Sequence, residues 1–254
     1  MGIKNRHGKI VEIVRKNKTV SVEELASLLD ISRETIRRDL SKLSNIGKVH
    51  KIHGGATLPQ GFGEGPFQKR LSENTEAKVH IAKTAATLFS EDETLFVDTG
   101  STTLYFAEAL SSRAGLTIIT NSTEVAMAVS RPKASNKVFL LGGEFNSDNR
   151  QTVGTIATSQ IRSFRAKHAV LTIGAMDIQS GVMDFNIEEA QIARLMIEQS
   201  QSLTVLVDSS KFNHLAPFEV CGLKQIDRLI CDRLPPENLM KALKLANVKV
   251  IVAS

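Results

Sequence analysis

Two adjacent arginines, Arg37 and Arg38, lie in a stretch whose residue spacing predicts a helix that contacts DNA. Ile36, Leu40 and Leu43 recur at helical spacing and mark one apolar stripe. The opposite arc presents the polar side chains Glu34, Arg38, Ser41 and Lys42, flanked by Thr35 and Arg37. An arginine can pair with the O6 and N7 atoms of guanine or hold a phosphate, so this arc could bind DNA. The alternative is an ordinary solvated helix face, and the neighbouring sequence favours the DNA contact.

A second set of residues has the chemistry of an anion site. The run Asp98-Thr99-Gly100-Ser101-Thr102-Thr103 follows an apolar stretch and opens a helical pattern. Glycine lets the backbone approach a ligand, while hydroxyls and the free amides of a helix start suit a phosphate. Comparable polar runs follow or join other elements: Asn121-Ser122, Gly142-Gly143-Glu144, Gly174-Ala175, Asp184 to Glu189, and Asp208-Ser209-Ser210-Lys211. Any one of them is more simply a turn with capping residues, but several at one sheet edge favour a ligand site.

A short helix is predicted directly before the basic one. Ser21 and Glu24 have the spacing of a capping box, and the apolar residues after them define a helix that ends at Asp30. Ser32 is a good N-cap, so Asp30 and Ile31 alone separate the two helices. Two helices joined by so tight a turn have helix-turn-helix geometry, and the second is the recognition helix. An earlier helix, from about residue 4 to residue 16, shares their core.

A basic wing is predicted after the recognition helix. Gly47 ends that helix, and residues 48–56 have the pattern of two short strands around a turn. Lys51 lies in this segment, and a wing normally follows the phosphate backbone of DNA.

These motifs resemble a known family. S-x-x-T-I-R-R-D-L, then G-K-V, then H-G-G-A resembles the N-terminal signature of the DeoR/GlpR family of bacterial transcriptional regulators in type, order and spacing. The resemblance implies that Asp39 also lies on the recognition helix. Glu34 occupies a position that the signature leaves free, so we expect it to help select the operator. The predicted DNA-binding set is Ser32, Arg33, Glu34, Thr35, Arg37, Arg38, Lys42, Lys51, His53, Gly54 and Gly55.

Charge and composition agree with a DNA-binding head on a larger body. Residues 1–57 carry 12 of the lysines and arginines and 6 of the acidic residues, so the net charge of +5 comes from this part of the chain. Basic charge also serves membrane attachment, but no apolar run approaches about 20 residues and no signal sequence opens the chain. We therefore expect a cytoplasmic protein. Cys221 and Cys231 lack metal-ligand spacing and are expected to be reduced and structural.

The remainder predicts a mainly parallel α/β domain. Glycine and proline between Leu58 and Phe67 indicate a boundary, giving a head at 1–57, a linker at 58–73 and a body at 74–254. Helical patterns separate most of the short apolar runs, which is typical of a parallel sheet covered on both faces. The predicted strands are 94–97, 116–120, 138–141, 169–173, 203–207, 228–231 and 248–252.

The body also resembles the sensor domain of the DeoR/GlpR family, through D-T-G-S-T-T, I-T-N-S, L-G-G-E, F-N-I-E-E-A and V-D-S-S-K-F-N. That sensor domain is similar to the ribose-phosphate isomerase and CoA-transferase fold and binds a phosphorylated sugar or a related metabolite. The resemblance implies that the hydroxyl loop and Lys211 hold the phosphate, while Asp98, Asn121, Asn186 and Glu188 bind sugar hydroxyls. The predicted effector set is Asp98, Thr99, Gly100, Ser101, Thr102, Thr103, Asn121, Ser122, Gly143, Asn186, Glu188 and Lys211.

The main alternative is a sugar-phosphate isomerase with an accessory DNA-binding head. Such an enzyme places a base in a D-G-A-D-E-like segment, whereas the matching stretch, Ile173 to Asp177, lacks the first acid and the adjacent acid pair. Asp184, Glu188 and Glu189 remain as carboxylates. An architectural DNA-binding protein would leave the pocket without a purpose. We therefore predict a repressor of a carbohydrate catabolic operon, at least dimeric, released from operator DNA by a sugar phosphate, with no catalytic residue, metal or cofactor.

Overall fold

The computed structural model describes residues 3–17, 19–45, 49–52, 54–57, 65–111, 115–130 and 135–253. Contacts divide the chain into two compact units, Met1–Gly63 and Glu64–Ser254. Each unit has its own hydrophobic core, and they are described separately below.

The smaller unit is a winged helix-turn-helix. Its elements are α1 (Ile3–Asn17), β1 (Thr19–Ser21), α2 (Val22–Leu29), α3 (Arg33–Asn45), β2 (His50–Ile52) and β3 (Gly55–Thr57). The three strands form an antiparallel sheet in the order β1-β3-β2. Ile10, Leu25, Ile36 and Leu40 are fully buried in the shared core, as the apolar stripe of the recognition helix predicted. β1 was not predicted, because three residues are too few to show a strand period.

Side-chain caps fix the helix-turn-helix corner. The amide of Glu24 donates to Oγ of Ser21 at 3.1 Å, and the Glu24 carboxylate accepts from the Ser21 amide at 2.8 Å, which completes the predicted capping box. Asp30 ends α2 in the left-handed region, at φ 53°. Oγ of Ser32 accepts from the amide of Thr35 at 3.3 Å, as expected for the N-cap of α3. The predicted stop at Gly47 lies outside the described residues.

The larger unit alternates strands and helices. Its elements are α4 (Phe67–Ser72), α5 (Thr75–Ala86), β4 (Thr94–Val97), α6 (Ser101–Leu110), β5 (Thr117–Thr120), α7 (Thr123–Val129), β6 (Lys137–Leu140), β7 (Glu144–Asn146), β8 (Gln151–Val153), α8 (Gly154–Ile161), β9 (Ala166–Leu171), β10 (Ala175–Asp177), β11 (Gly181–Asp184), α9 (Ile187–Glu198), β12 (Ser200–Val207), β13 (Phe218–Cys221), β14 (Arg228–Cys231), α10 (Glu237–Leu245) and β15 (Lys249–Val252). Short 3₁₀ turns cover Ser209–Lys211 and Leu223–Gln225.

Seven parallel strands form the central sheet, in the order β15-β14-β12-β9-β4-β5-β6. Apolar clusters cover both of its faces, which confirms the predicted α/β class. All seven strands correspond to the predicted ones. The strand order runs outward in both directions from β4 and β9, so the carboxyl ends of these two strands flank a topological switch point, the place where ligands bind in such sheets.

Three features differ from the sequence-based expectation. Part of the predicted linker is helix α4, which belongs to the larger unit and buries Phe67 and Arg70. β7 and β8 form a hairpin, and β10, β11 and β13 form a second antiparallel sheet. These strands are three or four residues long, too short to be distinguished from turns by pattern alone.

No helix among the described residues is long and apolar enough to cross a membrane.

The two cysteines, Cys221 and Cys231, are free thiols in the core. Burial raises the pKa of each to about 12, so both stay protonated at neutral pH.

Candidate DNA interface and effector pocket

The recognition helix α3 presents a basic face to solvent. The side chains of Arg33, Arg37 and Arg38 are 66%, 57% and 76% exposed, and Lys42 is exposed as well. The opposite face is buried at Ile36. The face predicted from helical spacing is therefore the face of α3 that is exposed to solvent.

Glu34 lies between two of these arginines. Its carboxylate is 3.9 Å from Nη1 of Arg37 and 3.6 Å from Nε of Arg38. Nη1 of Arg33 is 3.7 Å from the carboxylate of Glu23 on α2. Exposed ion pairs of this kind contribute about 0–1 kcal/mol, so each arginine can exchange its carboxylate for a DNA phosphate at little cost.

Asp39 faces inward, and this distinguishes it from its arginine neighbours. It is 3% exposed and accepts from Nε of Arg6 at 2.5 Å and from Nη2 of Arg6 at 3.2 Å, while Nε2 of His7 lies 2.9 Å away. Burial raises the pKa of the Asp39 carboxyl, but the hydrogen bonds from Arg6 and His7 outweigh that effect and the pKa is lowered overall. Asp39 therefore ties α1 to the recognition helix.

The wing is attached to the recognition helix through Lys51. Its Nζ donates to Oγ of Ser41 at 3.1 Å, and that hydroxyl donates to the carbonyl of Arg37 at 2.9 Å. Gly54 forms the exposed turn with φ 80°, a conformation that favours glycine. The predicted contact His53 lies outside the described residues.

Gly55 requires a correction. It was placed in the DNA-binding set, but it is buried in β3 opposite Ser21. A Cβ atom at this position would overlap the carbonyl oxygen of Val20. The close approach of β1 and β3 therefore explains the glycine.

In the larger unit, a polar pocket lies at the switch point between β4 and β9. Residues from α4, α5, the start of α6 and the loops after β9 and β12 contribute to it. They are Arg70, Glu73, Asn74, Lys78, Ser101, Thr102, Thr172, Ile173, Val207, Asp208, Ser210 and Lys211. Ser101, Thr102 and Lys211 were predicted as effector contacts, and Asp208 and Ser210 belong to a polar run that the sequence placed at the same sheet edge. The remaining lining residues were not predicted as contacts.

The start of α6 is suited to an anion. Gly100 is the N-cap, so no side chain caps the first amides of the helix, and the hydroxyl residues Ser101 and Thr102 line the pocket there. A Cβ at Gly100 would overlap Cγ2 of Thr172, so glycine brings this helix start against the end of β9. The dipole of α6 adds partial positive charge at the same point.

Three cations complete this end of the pocket. Arg70, Lys78 and Lys211 all line it, and Lys78 is 4% exposed. Nζ of Lys78 donates to the carbonyls of Arg70 and of Glu73, the latter at 2.8 Å, which joins α5 to α4. Lys78 lies on the apolar face of α5 that Ile81 and Ala82 define. A lysine at this helical spacing was the sequence signal that could have identified Lys78 as a buried pocket residue.

Several predicted effector residues have structural contacts instead. Oγ of Ser122 accepts from the amide of Val125 and caps α7, and Oδ1 of Asn186 accepts from the amide of Glu188 and caps α9. Gly143, at φ 148°, packs so closely on the carbonyl oxygen of Val153 that a Cβ would clash. Capping and packing account for these residues, and they do not line the pocket.

Asp98, Thr99 and Thr103 are buried next to the residues that line the pocket, whereas Glu188 is half-buried and does not line it. Thr103 donates from its hydroxyl to the carbonyl of Gly100 at 3.2 Å, and Thr99 is also buried. The Asp98 carboxylate accepts from the amide of Thr172 at 3.0 and 3.2 Å. Burial raises the pKa of Asp98 well above its usual value. The carboxylates of Asp184 and Glu189 raise this pKa further, while the bonds from Thr172 and Thr103 lower it.

A polar network around Glu189 was also missed. Oε1 of Glu189 accepts from Nδ2 of Asn149 at 2.6 Å and from Nε2 of Gln151 at 2.7 Å. Nη2 of Arg70 donates to Oδ1 of Asn149 at 2.9 Å, so the network reaches the cationic end of the pocket. Glu188 was predicted as a sugar contact, and the enzyme alternative named Asp184, Glu188 and Glu189. The carboxylate in this network is that of Glu189. Asn149 and Gln151 come from the hairpin region that was not predicted.

The part of the chain that the structure describes holds no cluster of three or more potential metal-binding side chains among histidine, cysteine, aspartate and glutamate. The lining instead combines a helix start and hydroxyls with three basic side chains and two acidic ones, Glu73 and Asp208. Helix amides, hydroxyls and basic side chains are groups that can bind a phosphate.

The fold and these two sites define a transcriptional regulator with a DNA-binding head and a sensor body. The model of the DeoR-like helix-turn-helix domain matches residues 6–61, and that of the DeoR C-terminal sensor domain matches residues 73–233. The chain therefore belongs to the DeoR family, as its signature predicted.

Two relatives from Escherichia coli strain K12 align over nearly the whole chain. The transcriptional repressor CsqR is 31% identical over 97% of this chain and 94% of its own length. The glycerol-3-phosphate regulon repressor is 33% identical over 94% of both chains. Among solved structures, ribose 5-phosphate isomerase A from Methanocaldococcus jannaschii aligns with a TM-score of 0.41 at 17% identity, over 55% of each chain. That last similarity is too low to carry an argument about function.

Proposed function

We propose that this protein represses a carbohydrate catabolic operon and leaves its operator when a phosphorylated sugar binds in the pocket. The observation that carries the proposal is the meeting of Ser101 and Thr102, at the uncapped start of α6, with the cations Arg70 and Lys211 at the switch point. The relative named glycerol-3-phosphate regulon repressor supports a phosphorylated ligand.

The proposed DNA contact uses the exposed face of α3 and the wing. Arg33, Arg37 and Arg38 supply charge for phosphates or guanine edges, and Lys51 binds the backbone. Two heads at a fixed spacing would bind repeated half-sites, so the protein acts as a homo-oligomer. The oligomer has one state in which the heads fit the half-sites and one in which they do not. A ligand that binds the second state more tightly weakens DNA binding by at most the ratio of its affinities for these two states.

We further propose that the pocket senses its ligand without turning it over. Asp177, the acid in the segment that matches the isomerase motif, caps its own turn: its Oδ1 accepts from the amides of Gln179 at 2.8 Å and Ser180 at 3.2 Å. It is also not among the residues that line the pocket. A general base must reach the proton it removes, and Asp177 is held elsewhere.

A thermal-shift screen of purified protein against phosphorylated sugars tests this function. A ligand at about 100 times its dissociation constant should add roughly 2.7 kcal/mol to the stability of the bound form. The same sugar without phosphate should give a much smaller shift, because it brings no negative charge to the start of α6 and the cations beside it. Equal shifts from both compounds would contradict the phosphate site, and ketose-aldose conversion seen by NMR would contradict the non-catalytic assignment.

A further inference from the structure

A groove of about 460 Å³ lies between α5 and α6 and shares no lining residue with the effector pocket. Its floor is apolar and consists mostly of small side chains. Ala82 and Ala86 are buried in it, and Val79, Tyr105 and Ala109 are half-buried. Small side chains let another surface approach the two helices closely, and a partner packed in the groove would remove this apolar area from water.

Tyr105 is a fixed part of the groove. Its hydroxyl donates to the carbonyl of Leu71 at 3.0 Å, which holds the ring in one orientation while part of it stays accessible. A tyrosine that is already held in place loses little conformational freedom when a partner covers it. Such side chains are typical anchors of protein–protein interfaces.

The two walls of the groove carry opposite charges. Lys83 on α5 and Glu108 on α6 are both exposed and both line the groove. Among the residues that the structure describes, neither side chain forms an ion pair. In a two-fold symmetric interface each residue of one copy meets the other residue of the second copy. Lys83 of one copy then meets Glu108 of the second copy, and the same pair forms again on the other side of the axis.

The helices that form the groove also form part of the effector pocket. Lys78, which lines the pocket, precedes the groove residue Val79 on α5, and Ser101 and Thr102 line the pocket at the start of α6. A partner in the groove and a ligand in the pocket therefore contact the same two helices.

We propose that the groove between α5 and α6 is the surface on which a second copy of this chain packs, with Lys83 and Glu108 paired across a two-fold axis. The inference rests on the proposed function, which needs two heads at a fixed spacing. It gives the pocket a direct route to the oligomer, because a ligand that shifts α5 against α6 changes the surface on which the second copy packs.

Charge reversal on the full chain tests the proposal, with self-association measured by sedimentation velocity over a range of concentrations. Lys83→Glu and Glu108→Lys each place like charges at both symmetric contacts, so each variant alone should associate at least about ten-fold more weakly than the unchanged protein. An equal mixture of the two variants restores opposite charges at both contacts and should associate as tightly as the unchanged protein.

Lys241→Glu and Glu237→Lys are the matched controls, because these residues are an exposed ion pair on α10, outside the groove lining. Both controls should associate normally. Circular dichroism checks that every variant keeps its fold, which we expect because Lys83 and Glu108 are exposed.

Three outcomes would overturn the proposal. If either reversal at the groove leaves association unchanged, or if the mixture associates no better than the single variants, the second copy packs elsewhere. In both cases the proposed function stands or falls by its own thermal-shift test. An unchanged protein that is monomeric at every concentration would overturn both this surface and the homo-oligomer of the proposed function.

Discussion

Asp39 accepts a hydrogen bond from Nε of Arg6 at 2.5 Å, across 33 positions of the sequence. The contact joins the first helix of the head to the middle of the recognition helix. His7, the residue after Arg6 in α1, contacts the same carboxylate through Nε2. The aspartate of the family signature therefore holds the recognition helix in place, while the arginines before it face solvent.

Asp39→Asn should destabilise the head by about 1.5–3 kcal/mol, because hydrogen bonds to a charged group are lost and the Arg6 guanidinium loses its counter-charge. Urea unfolding of the full chain at pH 7, followed by circular dichroism, measures the change. Asp148→Asn is the control, since Asp148 is exposed. Equal stability of the two variants would show that the contact contributes nothing.

The stability difference between the unchanged protein and Asp39→Asn should also depend on pH. Because the pKa of Asp39 is lowered in the folded state, its stabilisation is complete above the unfolded value of about 3.9 and is lost as the pH falls through the lower folded value. The stability difference between the unchanged protein and Asp39→Asn should therefore hold at pH 5 to 7 and shrink below about pH 4. A difference that grows on acidification would contradict the lowered pKa.

Two glycines of the head should respond in opposite directions to alanine. Gly55→Ala should cost about 1–3 kcal/mol, because its Cβ would overlap the carbonyl of Val20. Gly8→Ala should stabilise by about 0.5–1 kcal/mol, because Gly8 lies inside α1 and a Cβ there meets no atom within 4 Å. Thermal unfolding compares the two variants, and a Gly55→Ala protein as stable as the unchanged one would contradict the close approach of β1 and β3.

Arg38 and Lys51 should affect DNA binding differently. Arg38→Ala should cost about 1–3 kcal/mol and relax base preference if Arg38 contacts a guanine, whereas Lys51→Ala should weaken all sequences alike. Fluorescence anisotropy with DNA selected by the protein from a random pool measures both, with Arg233→Ala, at an exposed side chain of the larger unit, as control.

Salt dependence provides an independent check on the basic face. If a dimer neutralises about 8 phosphates, log affinity should fall against log salt with a slope of about −7. A flat dependence would rule out phosphate contacts by α3 and the wing.

Local signals made most of the fold predictable. The capping box at Ser21 and the N-cap at Ser32 involve residues three apart, so sequence alone shows both partners. The five inner strands of the central sheet are largely buried, and all seven strands appear as short apolar runs. Short edge strands such as β1 and β10 have no comparable pattern, because three residues complete one period at most.

The pocket was predicted less completely because its partners are distant in sequence. The helix start at Ser101 was recognisable from glycine and hydroxyls. Arg70, in contrast, donates a hydrogen bond to Asn149, which lies 79 positions away in the sequence. No local sequence pattern shows that contact. Polar residues after strands were also ambiguous, since Ser122 and Asn186 cap the following helices. Polar residues at the ends of strands therefore indicate a ligand site, but the sequence does not show which of them contact the ligand and which cap a helix.

The central claim is that a phosphorylated sugar held at the start of α6 releases the protein from DNA. Ser101→Asp tests it, because a carboxylate at Ser101, which lines the pocket, would repel the phosphate. Thr155→Asp is the matched control, since it adds the same charge to the first turn of α8, outside the pocket lining.

The decisive measurement is the anisotropy of labelled, selected DNA bound to each protein while the sugar phosphate identified by thermal shift is added. The unchanged protein and Thr155→Asp should release the DNA, and Ser101→Asp should bind it with normal affinity and keep it at every effector concentration that releases the others. Release of DNA from Ser101→Asp at the effector concentration that suffices for the unchanged protein would contradict the account, because the phosphate would then be bound elsewhere.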